Sequence, residues 1–166
     1  MVDYKERNSI YNYMLEVIRA NPQISDDEFD KRLRNKILNG KNSVKECQEI
    51  FTWIRSKLRS KLGILTSLTQ DESINEIMVN GCENIFIERG AGIEKADLKF
   101  ESPEELEEVV RNIAASVHRE INELNPILDA RLENGARVNA VFSNVAIDGT
   151  ALTIRKFSKE HITMEK

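Results

Sequence analysis

Two cysteines, three prolines and one tryptophan are all that this 166-residue chain holds of those types. Cys47 and Cys82 lie far apart and share no metal-type spacing. That excludes a disulfide framework or a zinc ribbon and leaves two reduced thiols. No His, Cys or carboxylate spacing announces a metal site, and no metal is expected on this chain. No apolar run approaches the roughly 18 residues of a membrane span. The first residues, MVDYKERNSI, lack the apolar core of a signal peptide. These absences read as a soluble cytoplasmic chain. Basic excess is also missing, with 24 Lys and Arg against 28 Asp and Glu, a net charge of -4 and a pI near 5.4. A duplex-binding protein that relies on a broad basic surface is therefore not expected, and no nucleic-acid partner is predicted. A phosphate-cradling G-x-x-x-x-G-K-[S/T] run is absent too. The one Gly-Lys pair, Gly40-Lys41, lacks the earlier glycine and the following hydroxyl residue.

What is present divides the chain in three: a helical region over 1–62, an α+β domain over 63–157, and a polar stretch, 158–166, that reads as the start of a linker. In the first region Ile10, Met14, Val17 and Ile18 form one stripe of a helix that stops at Asn21-Pro22. Ser25-Asp-Asp-Glu28 is a capping-box pattern, and the helix behind it carries Phe29, Leu33 and Ile37. Ser43-Val-Lys-Glu46 opens a third helix, with an apolar stripe through Val44, Cys47, Phe51, Ile54, Leu58 and Leu62. Trp53 falls toward its polar side and suits an interface.

Beyond Gly63 the periodicity changes. Strands are predicted near Ser73–Val79, Ile85–Glu88 and, weakly, Lys95–Phe100, with turns at Asn80-Gly81 and Gly90-Ala-Gly92. Ser102-Pro103-Glu104-Glu105 starts a helix running to about Arg119 and burying Leu106, Val109, Val110, Ile113 and Val117. Further strands follow Asn125-Pro126. Strands, one helix, then strands again predict an α+β fold with a mostly antiparallel sheet and the helix packed on one face.

The stretch from Asn125 to Phe157 places Arg131, Arg137 and Arg155 on or beside short strands. Alternation puts Val138, Ala140 and Phe142 on one face and Arg137, Asn139 and Val141 on the other. In the last strand Leu152 and Ile154 oppose Thr153 and Arg155. The turn decides how the arginines meet. A two-residue Asn134-Gly135 loop puts Arg131 and Arg137 on opposite faces. A three-residue Glu133-Asn134-Gly135 loop pairs them directly, and it is favoured because glycine then holds the position that needs positive φ. Planar guanidiniums suit phosphate. The alternative is a surface network with the local acids Asp129, Glu133 and Asp148. His118, at a helix end, reads as structural, and His161 as solvated. Asp26/Asp27 and Glu104/Glu105 are first-turn helix residues rather than an acid–base pair.

DARLENGARVNAV followed by LTIRKF, and preceded by EIMVNGCENIFIERG, resembles the N-terminal domain of secretion and pilus-assembly ATPases, in the manner of the CpaF-type motor of Flp/Tad pili. The resemblance runs from about Leu65 to Phe157. It implies a PAS-like sheet domain within a homo-hexameric ring motor that is cytoplasmic and peripherally associated with the membrane. It implies ATP and Mg for the full-length protein, held by a C-terminal ATPase domain. Arg131 in DARL, Arg137 in GARV and Arg155 in TIRKF are then the phosphate-sensing residues. No catalytic residue is expected in this chain, and hydrolysis by it alone is expected to be absent or very slow. The implied partners are the ATPase domain, neighbouring subunits and an inner-membrane platform protein of the secretion or pilus machinery. A non-catalytic docking or scaffold module is the alternative. The loop Phe142-Ser143-Asn144-Val145 departs from the prolines that such proteins often carry there.

Overall fold

A computed structural model describes residues 4–40, 42–90 and 92–157. The expected linker, 158–166, and His161 lie outside the described residues. The chain forms two compact units, Met1–Gly63 and Ile64–Lys166.

The first unit is three helices: α1 (Tyr4–Ala20), α2 (Asp26–Leu38) and α3 (Val44–Arg59). They pack on one another around Ile10, Met14, Val17, Phe29, Leu33, Ile37, Ile50 and Ile54. Each start has a local cause. The Ser25 side chain accepts a hydrogen bond from the Glu28 N–H at 3.3 Å. Glu28 itself turns to Arg32, whose Nε donates to it at 2.7 Å, so this cap is half of the predicted box. Ser43 and Glu46 close the full reciprocal box. The predicted α3 stripe is shifted. Ile50 and Ile54 line the core, Cys47, Phe51 and Leu58 flank it, and Val44 is exposed in the first turn. The helix ends at Arg59, before Leu62. Trp53 is half-buried, edge-on to Tyr11 with ring centroids 5.6 Å apart, and Arg7 and Lys57 lie over its ring. No described helix is long and apolar enough to cross a membrane.

A 3-10 turn, Gly63–Leu65, crosses the boundary along the chain, and the second unit continues with a short helix, α4 (Thr66–Gln70). Then come β1 (Ile74–Asn80), β2 (Asn84–Arg89), β3 (Gly92–Lys95), α5 (Pro103–Ser116), β4 (Ile127–Arg131), β5 (Arg137–Val141) and β6 (Ala151–Arg155). The six strands make one antiparallel sheet, ordered β3-β2-β1-β6-β5-β4. The unit is thus α+β, as the periodicity predicts. The third strand differs from expectation. Arg89 pairs with Gly92, so β3 begins there and ends at Lys95. The predicted stretch up to Phe100 is not a strand. The Phe100 N–H donates to the Cys82 carbonyl at 2.8 Å, and the ring is buried as a plug of the core.

One face of the sheet is apolar, with Ile77, Val79, Ile85, Ile87, Leu128, Val138, Ala140, Leu152 and Ile154 all buried. Helix α5 buries Leu106, Val109, Val110, Ile113 and Ala114. Two polar links tie it to the segment between β5 and β6. Glu107 Oε1 accepts from Ser143 Oγ at 3.1 Å and from the buried Thr150 Oγ1 at 3.3 Å. The Arg111 guanidinium lies 5.1 Å from the centre of the Phe142 ring. At the tip of β1, Gly81 has φ +65, and a Cβ there would stand 2.8 Å from the Asp148 carbonyl oxygen. Only glycine fits a turn that is both left-handed and this close to a second backbone.

Helix α5 is shorter than predicted. It stops at Ser116 because His118 turns left-handed, with φ 56. The Arg119 N–H then bonds the Ala114 carbonyl at 2.9 Å, and the His118 N–H bonds that of Ala115 at 3.1 Å. This is a Schellman closure with histidine where glycine is usual. Val117 is the cap and is only half-buried.

His118→Gly is expected to stabilise the chain by about 0.5–1 kcal/mol, since the left-handed penalty exceeds the extra flexibility of glycine. Urea unfolding checks it, and a lowered midpoint would contradict the closure. Glu46 gives a pH prediction. The Ser43 backbone N–H, first among several donors, pulls its carboxyl from 4.5 to about 2. Its stabilising contribution is present above the ordinary carboxylate range and is lost as pH falls toward 2. Between about pH 4.5 and 2 the native chain should therefore lose melting temperature faster than Glu46→Gln, measured by thermal unfolding.

Candidate functional site

The second face of the sheet is exposed along β4, most of β5 and the end of β6, and half-buried along β1 and β2. Pleating brings alternate residues of all six strands onto it in transverse rows. One row is charged from strand to strand. Arg131 of β4 faces Arg137 of β5, Arg137 faces Arg155 of β6, Arg155 faces Glu76 of β1, and Glu76 faces Glu88 of β2. The neighbouring row runs Asp129, Asn139, Thr153, Met78, Phe86, Lys95.

The turn between β4 and β5 sets this alignment. The Leu132 N–H donates to the Ala136 carbonyl at 2.8 Å, which leaves Glu133, Asn134 and Gly135 as a three-residue loop. Gly135 has φ 84, so the left-handed position falls on glycine. Asn134 Oδ1 accepts from the Ala136 N–H at 3.0 Å and holds the turn from within. Of the two loops open to the sequence, this one pairs Arg131 directly with Arg137. The Leu132–Ala136 bond also makes Arg131 and Arg137 a non-hydrogen-bonded pair, the type in which side chains stand closest.

All three predicted residues, Arg131, Arg137 and Arg155, are therefore brought together on one exposed row. Like charges directly opposite destabilise a sheet, by up to about 1 kcal/mol per pair. The local acids do not relieve them. Among the described residues, Asp129, Glu133 and Asp148 form no ion pair with these arginines, against the surface-network alternative. Arg155 instead reaches Glu76 Oε2 at 3.4 Å. Arg131 and Arg137 have no ion pair among the described residues. Arg89, on the same sheet, is by contrast held by Asp71 at 2.9 Å and Glu94 at 3.0 Å.

Glu76 was not singled out by the sequence, since its place beside Arg155 depends on pairing between β1 and β6, 79 residues apart along the chain. The parity of the strand Ser73–Val79 was the one available signal. It sets Glu76 with Met78 and opposite to Ile77 and Val79. His118 is committed to the helix end and lies in no such row. The chemical competence of the row is anion binding. Three planar forks can each donate paired, charge-assisted hydrogen bonds to phosphate oxygens. Among the described residues no three His, Cys, Asp or Glu side chains converge as a metal site requires.

Residues 59–166 match the family described as Type II/IV secretion system protein. The uncharacterized protein MJ0781 of Methanocaldococcus jannaschii is 35% identical over 119 residues, which are 63% of this chain and 15% of that protein. MJ0900 of the same organism is 26% identical over 157 residues, 93% of this chain and 28% of its own length. The chain thus spans less than a third of these curated relatives. Among solved structures, the VirB11 ATPase from the Brucella suis type IV secretion system, in complex with sulphate, is similar with a TM-score of 0.56 and 28% identity. That match covers 62% of this chain and 32% of VirB11. With well over half of its residues in the family match, and the same residues carrying the motifs DARLENGARVNAV and LTIRKF, the chain belongs to the type II/IV secretion system protein family.

Proposed function

We propose that this chain is the front part of a secretion or pilus-assembly motor ATPase. In this reading its α+β unit closes over a nucleotide held by a C-terminal ATPase domain. Arg131, Arg137 and Arg155 meet the phosphates and compensate their charge, while Mg and the hydrolytic residues belong to that other domain. The observation that carries it is the row itself: three guanidiniums abreast on an open sheet face, two of them without an ion pair among the described residues. Family membership supports a motor context.

The finer reading follows the same line. The motor is a homo-hexamer, cytoplasmic, attached peripherally to the membrane through a platform protein, and of the Flp/Tad pilus branch. Closing and reopening of the sheet domain on ATP is its working stroke.

A docking or scaffold role is a second reading. It is favoured by the helical unit, which has its own core and carries Trp53 at its surface beneath Arg7 and Lys57. The two readings separate in the full-length protein. Arg131→Ala, Arg137→Ala and Arg155→Ala are each expected to lower ATP turnover by about tenfold or more, as removal of a donor to developing phosphate charge does. Steady-state ATPase assays check this. Unchanged turnover in all three variants, with retained binding to a platform protein, would leave the docking reading in place.

A further inference from the structure

We propose that Glu76 is the positioning residue of the arginine row: it holds Arg155 when no anion is bound, and an arriving anion takes Arg155 from it. This rests on the anion-binding reading of the row and adds to it a built-in competitor.

Three observations point to Glu76. The first is its place. It stands directly opposite Arg155 on the neighbouring strand, so its carboxylate sits beside the third guanidinium as a bound phosphate would sit beside the first two. The second is asymmetry. The Glu76 side chain is 17% exposed and that of Arg155 is 71% exposed. The arginine is the more exposed partner and the one an arriving anion reaches first. Their separation of 3.4 Å is longer than the roughly 2.7–2.9 Å of a tight charge-assisted bond, so the hold is one an anion can break. The third is a bulge. The register of β1 against β2 shifts between Ile74 and Glu76. Bulges of this kind re-aim side chains and occur beside functional sites.

The row is thereby polarised. Arg131 and Arg137 lie on one side of Arg155, and Glu76 and Glu88 on the other. An anion settles over the Arg131–Arg137 side, and Arg155 changes partner from carboxylate to phosphate. The cost of leaving Glu76 lowers affinity and makes occupancy of all three arginines depend on a ligand with enough negative charge. A polyphosphate meets that condition better than a single phosphate.

The test is a pyrophosphate titration of the 166-residue chain, followed by NMR at fixed ionic strength. Glu76→Gln is expected to bind pyrophosphate about two- to fivefold more tightly than the native chain, the range set by an exposed ion pair. Glu88→Gln removes the same charge from the same row without touching Arg155, and its effect should be smaller. In an Arg155→Ala background, Glu76→Gln should do no more than Glu88→Gln does. A Glu76→Gln variant that binds no more tightly, or that gains as much without Arg155, overturns the proposal. The row then still stands as an anion site provided Arg131→Ala and Arg137→Ala lose binding. If neither the native chain nor any variant binds pyrophosphate, the role of Glu76 fails, while the nucleotide reading stands or falls on the turnover of the three arginine variants.

Discussion

The two-residue period of the pleat is the constraint on which the α+β unit depends. The central strands must keep Ile77, Val79, Val138, Ala140, Leu152 and Ile154 on one face, because that face is buried. A slip of one residue in β5 would drive Arg137 into the core and expel Val138 and Ala140. The cost of burying an unpaired guanidinium is several kcal/mol, so the register is held firmly. The arginine row is the other side of the same arrangement. It is aligned because the buried residues behind it are aligned, and the loop Glu133-Asn134-Gly135 is of the length that permits both.

That arrangement carries a cost that packing does not explain. Arg131 faces Arg137, Arg137 faces Arg155, and Glu76 faces Glu88. Three like-charge contacts in one row oppose sheet formation, each by a few tenths to about 1 kcal/mol. A sheet selected for stability alone would pair opposite signs, and Arg89, held by Asp71 and Glu94, shows that this chain can do so. The segregation of positive from negative within this row makes sense where charge is to be met from outside.

Much of this was legible in the residues. Ser25, Ser43 and Ser102 mark three helix starts, because a capping side chain needs only its own neighbours. The faces of β5 and β6 followed from alternation, and the favoured turn followed from glycine at the left-handed position. The structure departs from the pattern for one distant cause and two local ones. The stretch after Lys95 alternates like a strand, yet it runs back as coil to bury Phe100 under the unit. Helix α5 ends early because His118 accepts a conformation that histidine rarely adopts. Val44 looks apolar and periodic but faces outward in a first turn. The partner of Arg155 could not be read at all, since no local pattern says that β1 lies beside β6.

That central pairing also orders the events of folding. Strands β1, β2 and β3 form one meander and β4, β5 and β6 another, and each is built from short-range hairpins. The seam between β1 and β6 joins the first strand of the sheet to the last. During synthesis the first meander must wait with one side of β1 unpaired until the chain has passed Arg155. Loop closure across such a separation is slow compared with hairpin formation. An unpaired β1 leaves a row of backbone N–H and C=O groups open beside Ile77 and Val79, an edge prone to pairing with other chains. The nascent protein therefore has its greatest exposure to misassembly just before its charged row exists, and the step that completes the row is the one that removes the hazard.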